Sequence, residues 1–543
     1  MTAVQRRDQS GAAAGPQDGA GDAHGWDYAG AGGAPGGASL AGTPCLDTTA
    51  GAARTGVGGR RRPGAPQPRA AKAGLIRRGR EWVRAHPAWP VSALIVGYPL
   101  WWALGVADFI FAILAIPMAL RMYGWRARGR TIKAPPWFGI WLLFLLWVLA
   151  GAAMLRMNAP NTIPGSLGTR ILSYSQRTAN YAGVTVLLLY VGNLTERELP
   201  RLRLARMLGL LAMVAIAGGV AGVLWPRFQY NSPFLYLLPH RLRANGFIQD
   251  MMVPGFSEVQ NLLGTAQGRP KAPFDYTNIW GDCLSILVPW LIVGWWSLGT
   301  RRQRQVTALA LIAAIVPAVY SLNRGLWVGA GLSVGYVAVR LAARGRLAVL
   351  GTLCAGLAVG GVIFLVTPLH AVISDRLANG QSNAIRTSLS ASAIKAAESS
   401  PVLGFGGTRN QRGSPHSIAV GHTATCRRCG NASIGSNGQL WLLLISDGFV
   451  GAALYLAFFA AGAMRYRRDT GMFGMAGVLV LLLSLWYSVA YVAVVAPLGF
   501  TMLAYAILWK NEVWKTEMLT GEVPANKLRH EEHEEHEEEE DLA

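Results

Sequence analysis

Long apolar blocks alternate with short polar turns between residues 91 and 509 of the chain. A block of about 18 or more apolar residues is long enough to cross the ~30 Å hydrocarbon core of a membrane as an α-helix. The blocks predict helices at 137–155, 171–192, 207–224, 277–298, 306–320, 325–342, 347–367, 439–463, 472–489 and 494–509. We therefore expect an all-α polytopic membrane protein.

The first apolar block, 91–120, is too long for one untilted helix and short for two. Pro99 and Pro117 interrupt it, and Gly105 lies near its middle. A hairpin places the basic run 121–133 on the same side as the N-terminus, whereas a single helix inverts every later loop. The preference of cytoplasmic loops for Lys and Arg favours the hairpin and a total of about twelve transmembrane helices.

Composition supports the membrane class. The chain has 543 residues, of which 52% are hydrophobic and 15% charged, whereas about a quarter of residues are charged in soluble proteins. The net charge of +21 comes from arginines in the short turns, where they set topology, so we expect no nucleic-acid partner. The same turns place both termini in the cytoplasm and two large loops outside.

Five regions follow from this pattern. Residues 1–75 are rich in Gly, Ala, Pro and Arg, contain no apolar signal segment and are predicted to be disordered. Residues 91–367 hold nine transmembrane helices with an external loop at 225–276. A large external catalytic loop at 368–438 precedes the last three helices at 439–509. The acidic cytoplasmic tail 510–543 is predicted to be solvated, with weak metal capture by its histidines as the alternative.

Arginines are the first candidates for chemistry in the external loops. Arg324 lies in a turn so short that it must be at or just below the membrane surface, where a charged side chain is costly. Arg386 opens a helical stretch of the large loop, and Arg243 lies in the first loop. Guanidinium groups bind phosphate with bidentate geometry, so several converging arginines suit a lipid pyrophosphate. The alternative is that each one reaches lipid phosphates or caps a helix.

A second candidate is the cluster His416, His422, Cys426 and Cys429. Its ligand types can bind zinc, but an oxidising compartment favours a disulfide between Cys426 and Cys429. That pairing leaves the two histidines as candidate bases. The glycine-rich stretch 404–407 has no preceding strand and no following Lys-Ser/Thr, so we interpret it as a flexible turn that ends a helix.

Four motifs, in their order and spacing, resemble the superfamily of O-antigen ligases and O-antigen polymerases, which are bacterial integral membrane glycosyltransferases. They are Ser-Leu-Asn-Arg-Gly at 321–325, Arg386 with the Pro-Val-Leu-Gly-Phe-Gly at 401–406, the Asn437 to Leu440 entry into a helix, and the Arg243 to Phe247 stretch with Asn278. The resemblance covers roughly residues 137–508.

The resemblance implies transfer of a saccharide from a polyprenyl-pyrophosphate carrier to a glycan or lipid acceptor at the outer face of the bacterial cytoplasmic membrane. It implies a fold like that of the lipid-dependent, GT-C-like glycosyltransferases, with no metal or other cofactor and with membrane lipids as further partners. Pyrophosphate binding falls to Arg243, Arg324 and Arg386. The expected catalytic residues are Arg324, Arg386, His416, His422, Ser436 and Asn437.

One position departs from the family pattern. Ser436 stands where the family has a His before Asn437, so His416, His422 or Asp447 is a candidate replacement as the base. The Arg-, Ala- and Gly-rich composition indicates a GC-rich genome such as that of an actinobacterium, which favours a different acceptor. Ligase and polymerase both remain open, and the alternative class is an exporter of polysaccharide or lipid-linked sugar.

Overall fold

The computed structural model describes residues 85–243, 252–261, 266–366, 370–371, 373–374, 381–412 and 431–519, all within the unit Arg69–Ala543. The first helices are α1 Trp89–Val96, α2 Tyr98–Leu104, α3 Ala107–Ala127, α4 Phe138–Ala150, α5 Leu167–Asn193 and α6 Arg201–Leu224. Next come α7 Pro233–Leu237, α8 His240–Arg243, β1 Ser257–Asn261, β2 Ala266–Pro270, α9 Thr277–Leu291, α10 Arg301–Tyr320, α11 Arg324–Ala342 and α12 Leu347–Val366. The last elements are α13 Gln381–Ser399, β3 Asn410–Arg412, β4 Asn431–Ser433, α14 Gln439–Tyr466, α15 Met472–Ala490 and α16 Ala496–Leu519.

Seven of the described helices are long and apolar enough to cross a membrane, judged by length and composition. They are α3, α6, α9 with its π-helical extension Ile292–Ser297, α10, α11, α14 and α15. Each predicted block between 137 and 509 contains a helix. The mostly helical membrane class is thus confirmed, while the total of about twelve spans stays a prediction.

The first apolar block is divided in the structure. Helices α1 and α2 precede Gly105, whose φ of 78° lies in the left-handed region, and α3 begins two residues later. A left-handed residue commonly ends a helix and turns the chain. Both short helices pack against α3. Of these three helices only α3 is long and apolar enough to span a membrane, so the predicted hairpin of two transmembrane helices stays a prediction.

The arginine-rich turns meet at one end of the bundle, which we call the basic end. Arg130 pairs with Glu198 at 3.4 Å, and Glu196 contacts both Arg201 at 3.1 Å and Lys510 at 3.9 Å. Further contacts at this end are Arg465 with Glu512 and the Arg340 guanidinium with the carbonyl oxygen of Arg467. Arg201 and Lys510 are buried, whereas the more exposed Arg465–Glu512 pair contributes only about 0–1 kcal/mol; together these contacts report which turns are neighbours.

The described parts of the two long loops lie at the opposite end, which we call the loop end. Strands β1 and β2 form an antiparallel hairpin in which Glu258 is opposite Arg269. Strands β3 and β4 pair with Asn410 opposite Ser433, and this pairing brings the chain back beside α13. The α10–α11 turn and the start of α14 are at the same end.

Candidate functional site

The turn between α10 and α11, residues 321–325, forms the centre of the site. Leu322 has a φ of 53°, and the Asn323 side chain accepts a hydrogen bond from the Leu326 backbone N–H at 3.1 Å. This cap makes Arg324 the first residue of α11. The N-terminus of α11 carries the positive end of the helix dipole, and the Arg324 guanidinium adds a second positive charge. Both favour the binding of an anion at this position.

A second arginine reaches this turn from β2. The Arg269 side chain is 6% exposed, and its Nε donates to the carbonyl oxygen of Ser321 at 2.7 Å. Its Nη2 lies 3.4 Å from Asn278 Oδ1. Burial lowers the pKa of Arg269. The negative charge of Glu258 and the nearby Tyr491 raise this pKa, whereas the positive charge of Arg386 lowers it. Because Arg269 bonds to the Ser321 carbonyl, its guanidinium lies at the same turn that carries Arg324.

Arg386 arrives from α13. Its Nη1 donates to the carbonyl oxygen of Ala490 at 2.9 Å, which satisfies one of the free carbonyls at the end of α15. Burial lowers the pKa of Arg386. The nearby Tyr491 raises this pKa, and the positive charge of Arg324 lowers it. Ala490 immediately precedes Tyr491, whose side chain lies against Gly325 in the 321–325 turn. The structure therefore brings together Arg324 and Arg386, which the sequence predicted, and Arg269, which it did not.

Tyr491 lies against the 321–325 turn and directly follows Ala490, whose carbonyl oxygen binds Arg386. It is 3% exposed, its ring stacks on Tyr487 with centroids 5.2 Å apart, and burial raises the pKa of its hydroxyl so that it stays neutral. A Cβ atom at Gly325 would lie 2.2 Å from the Tyr491 hydroxyl oxygen. Only glycine therefore lets the turn approach Tyr491 this closely.

Asn437 orders α13. Its Nδ2 donates to the carbonyl oxygen of Arg386 at 3.3 Å and to Ser390 Oγ at 2.8 Å. Ser436 is exposed, and its hydroxyl donates to the carbonyl oxygen of Ser433 at 2.8 Å. Asn437 thus positions the helix that carries Arg386. Of the two neighbouring residues Ser436 and Asn437, Ser436 is the one exposed to solvent.

Gln439 joins the segment after α15 to the start of α14. Its backbone N–H donates to the carbonyl oxygen of Tyr491 at 2.7 Å, and its side-chain Oε1 accepts from the Ala493 N–H at 3.0 Å. The Nε2 donates to the Tyr181 hydroxyl at 3.1 Å. The side chain is fully buried with both its oxygen and its nitrogen bonded, and the backbone bond holds the Tyr491 main chain in place.

Two earlier interpretations need correction. Asp447, a candidate base, is not at the start of α14: it lies eight residues after Gln439, is fully buried and pairs with Arg177 at 3.6 Å. The glycine-rich stretch does follow the end of α13, but hydrogen bonds join it to α14. A buried, paired carboxylate is poorly placed to take a proton from an external acceptor.

The remaining candidate residues stay predictions. Arg243 is the last residue of α8, and none of the contacts described above joins it to Arg269, Arg324 or Arg386. His416, His422, Cys426 and Cys429 fall between β3 and β4, outside the described residues, so the bases, the disulfide and the zinc alternative stay open. No group of three His, Cys, Asp or Glu side chains suited to a metal occurs among the residues that the structure describes.

An apolar groove of about 640 Å³ leads away from the arginines. Helices α9, α10, α11 and α15 line it, from Leu326, beside the 321–325 turn, to Leu341 and Arg344 towards the basic end. The 15 helical rises of 1.5 Å between Leu326 and Leu341 span about 22 Å, most of the ~30 Å hydrocarbon thickness. The groove therefore offers an apolar channel of membrane depth that reaches Leu326, two residues after Arg324 on α11.

The sequence motifs did not predict that Arg269 and Tyr491 belong to the site. A signal for Arg269 was present, since it lies much nearer to Asn278 along the chain than Arg243 does. Nothing local marks Tyr491, which becomes part of the site only because α15 ends beside α13. In the comparison with known proteins, no family model and no curated protein matched the chain, and its chemistry must be argued from its own geometry.

Proposed function

We propose that the chain is a glycan ligase or polymerase that transfers a saccharide from a polyprenyl-pyrophosphate carrier to an acceptor. The observation that carries the proposal is that the 321–325 turn gathers Arg324, Arg269 through the Ser321 carbonyl, and Arg386 through Ala490 beside Tyr491, close to where a membrane-deep apolar groove reaches Leu326. Guanidinium groups stay protonated and match phosphate oxygens in bidentate geometry. A long apolar chain with a diphosphate at its end combines the two chemistries that the site presents.

In this reaction a bond forms between the acceptor oxygen and the anomeric carbon of the donor sugar. The bond from that carbon to the phosphate oxygen breaks, and its electron pair leaves with the pyrophosphate. Fixed guanidinium groups in a site of low dielectric stabilise the charge that develops on the leaving oxygen. The proton of the acceptor hydroxyl passes to a base, for which His416 and His422 remain the candidates.

The proposal includes an orientation. With the basic end in the cytoplasm, as arginine-rich turns favour, the loop end and its three arginines face the outer side of the cytoplasmic membrane. Twelve spans and a GT-C-like arrangement belong to the same proposal. The product is a glycan for the cell surface or for export.

The test is glycan transfer by purified protein in proteoliposomes that contain a carrier-linked donor. We expect Arg269→Ala, Arg324→Ala and Arg386→Ala each to reduce transfer at least about tenfold, because each removes charge-assisted bonds of about 1.5–3 kcal/mol and leaves developing charge uncompensated. The matched control is Arg465→Ala, which removes an exposed ion pair with Glu512 at the basic end and should leave transfer unchanged. Wild-type rates in the triple variant would refute the proposal.

An exporter of lipid-linked sugar is the second candidate class. Helix α14 is interrupted at Gly448, and broken helices with buried charges mark the binding sites of many transporters. Here, however, the chain's own residues 401–406 fill the break. Movement of labelled lipid-linked sugar across the same proteoliposomes without covalent product would favour the exporter. In a deletion strain, shortened chains would indicate a polymerase, and intact carrier-linked chains a ligase.

A further inference from the structure

Helix α14 is broken at Gly448, where φ is 67° and ψ is −170°. The break frees backbone groups inside an otherwise apolar span, where unsatisfied polar groups are costly. Residues 401–406, which we call the latch turn, supply the missing partners. Phe405 N–H donates to the carbonyl oxygen of Ile445 at 2.8 Å, Gly406 N–H to that of Ser446 at 2.8 Å, and Phe449 N–H to that of Pro401 at 2.8 Å.

The latch turn fits the break without spare room. Gly404 has a φ of 63°, and a Cβ there would lie 2.5 Å from the Ser446 carbonyl carbon. Trp147 Nε1 also donates to the carbonyl oxygen of Val402 at 2.7 Å. The latch turn is thus held by α4 and by both halves of α14.

A buried ion pair closes the assembly. Arg177 on α5 lies with its Nη2 3.1 Å from the carbonyl oxygen of Gly406 and 3.6 Å from Asp447 Oδ1. The Ser446 hydroxyl donates to Asp447 Oδ2 at 2.6 Å. One guanidinium therefore joins α5, the latch turn and α14. Charges this deeply buried in a membrane bundle are expensive, so their retention calls for a role.

The latch turn is also the anchor of α13. Helix α13 ends at Ser399, and the latch turn begins at Pro401. Nearer its start, the same helix is held by Asn437, which bonds to the Arg386 carbonyl and to Ser390. Two attachment points thus determine where α13 presents the Arg386 side chain.

We propose that Arg177 and Asp447 are positioning residues: their ion pair holds the latch turn in the break of α14 and thereby, through α13, fixes Arg386 beside Arg324 and Arg269. The consequence for transfer rests on the proposed function. The structural part of the proposal, that the ion pair holds α13 in place, is independent of the proposed function.

The experiment compares three forms of the full-length protein. In the double variant Arg177→Met with Asp447→Leu, apolar side chains of similar size replace both charges, so that no buried charge is left unpaired. Arg177→Lys keeps the charge but loses the planar fork. The control Arg465→Met with Glu512→Leu removes an ion pair between α14 and α16 at the basic end.

Hydrogen exchange followed by mass spectrometry reports on α13 and, as a reference, on α6. We expect exchange in α13 to be at least about tenfold faster in the double variant, with α6 unchanged, because local opening of α13 and the latch turn no longer has to break the contacts of Arg177 with Gly406 and Asp447. Transfer should fall about tenfold or more in kcat, with partial recovery in Arg177→Lys. The control should match wild type in both measurements.

Unchanged exchange in α13 would overturn the proposal, whatever happens to transfer. Equal acceleration in α13 and α6 would assign the pair to overall stability and would overturn it as well. Faster exchange in α13 with wild-type transfer would separate α13 from the site and contradict the positioning of Arg386. If wild-type protein transfers no glycan, the proposed function fails, but the exchange result still decides whether the pair holds α13.

Discussion

Arg269 makes contacts with two different elements at once, and lysine cannot reproduce them. Its Nε bonds to the Ser321 carbonyl while Nη2 lies against Asn278, which requires the planar fork of a guanidinium. We therefore expect Arg269→Lys to keep the local charge but to reduce transfer about 10- to 100-fold, the equivalent of about 1.5–3 kcal/mol. Donor titration in proteoliposomes measures the loss.

The control for that prediction is Arg465→Lys, since Arg465 interacts with Glu512 at the basic end, far along α14 from the site. It should transfer at the wild-type rate. If Arg269→Lys also did so, charge alone would suffice at this position, and the interpretation based on guanidinium geometry would be wrong.

At the residue scale, the order of the sequence motifs predicted some of the site residues but not all of them. Arg324, Arg386 and Asn437 lie within short stretches whose polar residues stand out against apolar neighbours. The roles of Arg269 and Tyr491 depend on contacts between distant parts of the chain, a hairpin against a turn and the end of α15 against α13. No local pattern encodes such contacts.

The 321–325 turn acts as one element because its backbone lies against Tyr491. A methyl group at Gly325 would sit 2.2 Å from the Tyr491 hydroxyl and 2.6 Å from its ring carbon Cζ, so the turn or the tyrosine must shift. We expect Gly325→Ala to lower the free energy of unfolding by about 1–3 kcal/mol, as overpacking does, and to reduce transfer at least about tenfold. Thermal unfolding in detergent and the transfer assay measure the two effects.

Gly331→Ala is the matched control on the same helix. A Cβ at Gly331 meets nothing within 4 Å, and alanine is the better helix former, so stability should be equal or slightly higher with normal transfer. Equal behaviour of the two variants would show that the approach of the turn to Tyr491 has no importance.

At the scale of elements, the apolar blocks predicted helices well because each span must bury its backbone polar groups within itself. The predicted 207–224 corresponds to Arg201–Leu224, and 472–489 to Met472–Ala490. The two strand pairs and the break at Gly448 were not predicted. A single glycine in an apolar run looks the same whether the helix continues or stops, and only the distant latch turn decides.

At the scale of the whole molecule, charge distribution predicted which turns share an end. The contacts of Arg130, Arg201 and Arg465 with acidic residues at the basic end agree with that grouping. The groove could not be foreseen, because helical periodicity says which residues lie on one face but not which helices become neighbours.

The groove leads to a prediction about donor length. If α9, α10, α11 and α15 enclose the hydrocarbon chain of the carrier, then filling the groove should weaken binding of long chains only. Ala330 lines the groove on α11, so Ala330→Trp places a large ring across its path. We expect KM for a long polyprenyl donor to rise about tenfold or more, since each buried CH₂ contributes about 0.8 kcal/mol, while KM for a donor with one or two isoprene units stays the same.

Leu332→Trp supplies the comparison, because Leu332 is on the same helix, is 47% exposed and does not line the groove. It adds the same indole ring to the outer face of α11 and should leave both KM values at the wild-type level. A rise for both donors in Ala330→Trp would mean that the indole disturbs the arginines rather than the chain. A rise for neither would place the hydrocarbon chain elsewhere, and the groove would then lose its part in the argument for a lipid-linked donor.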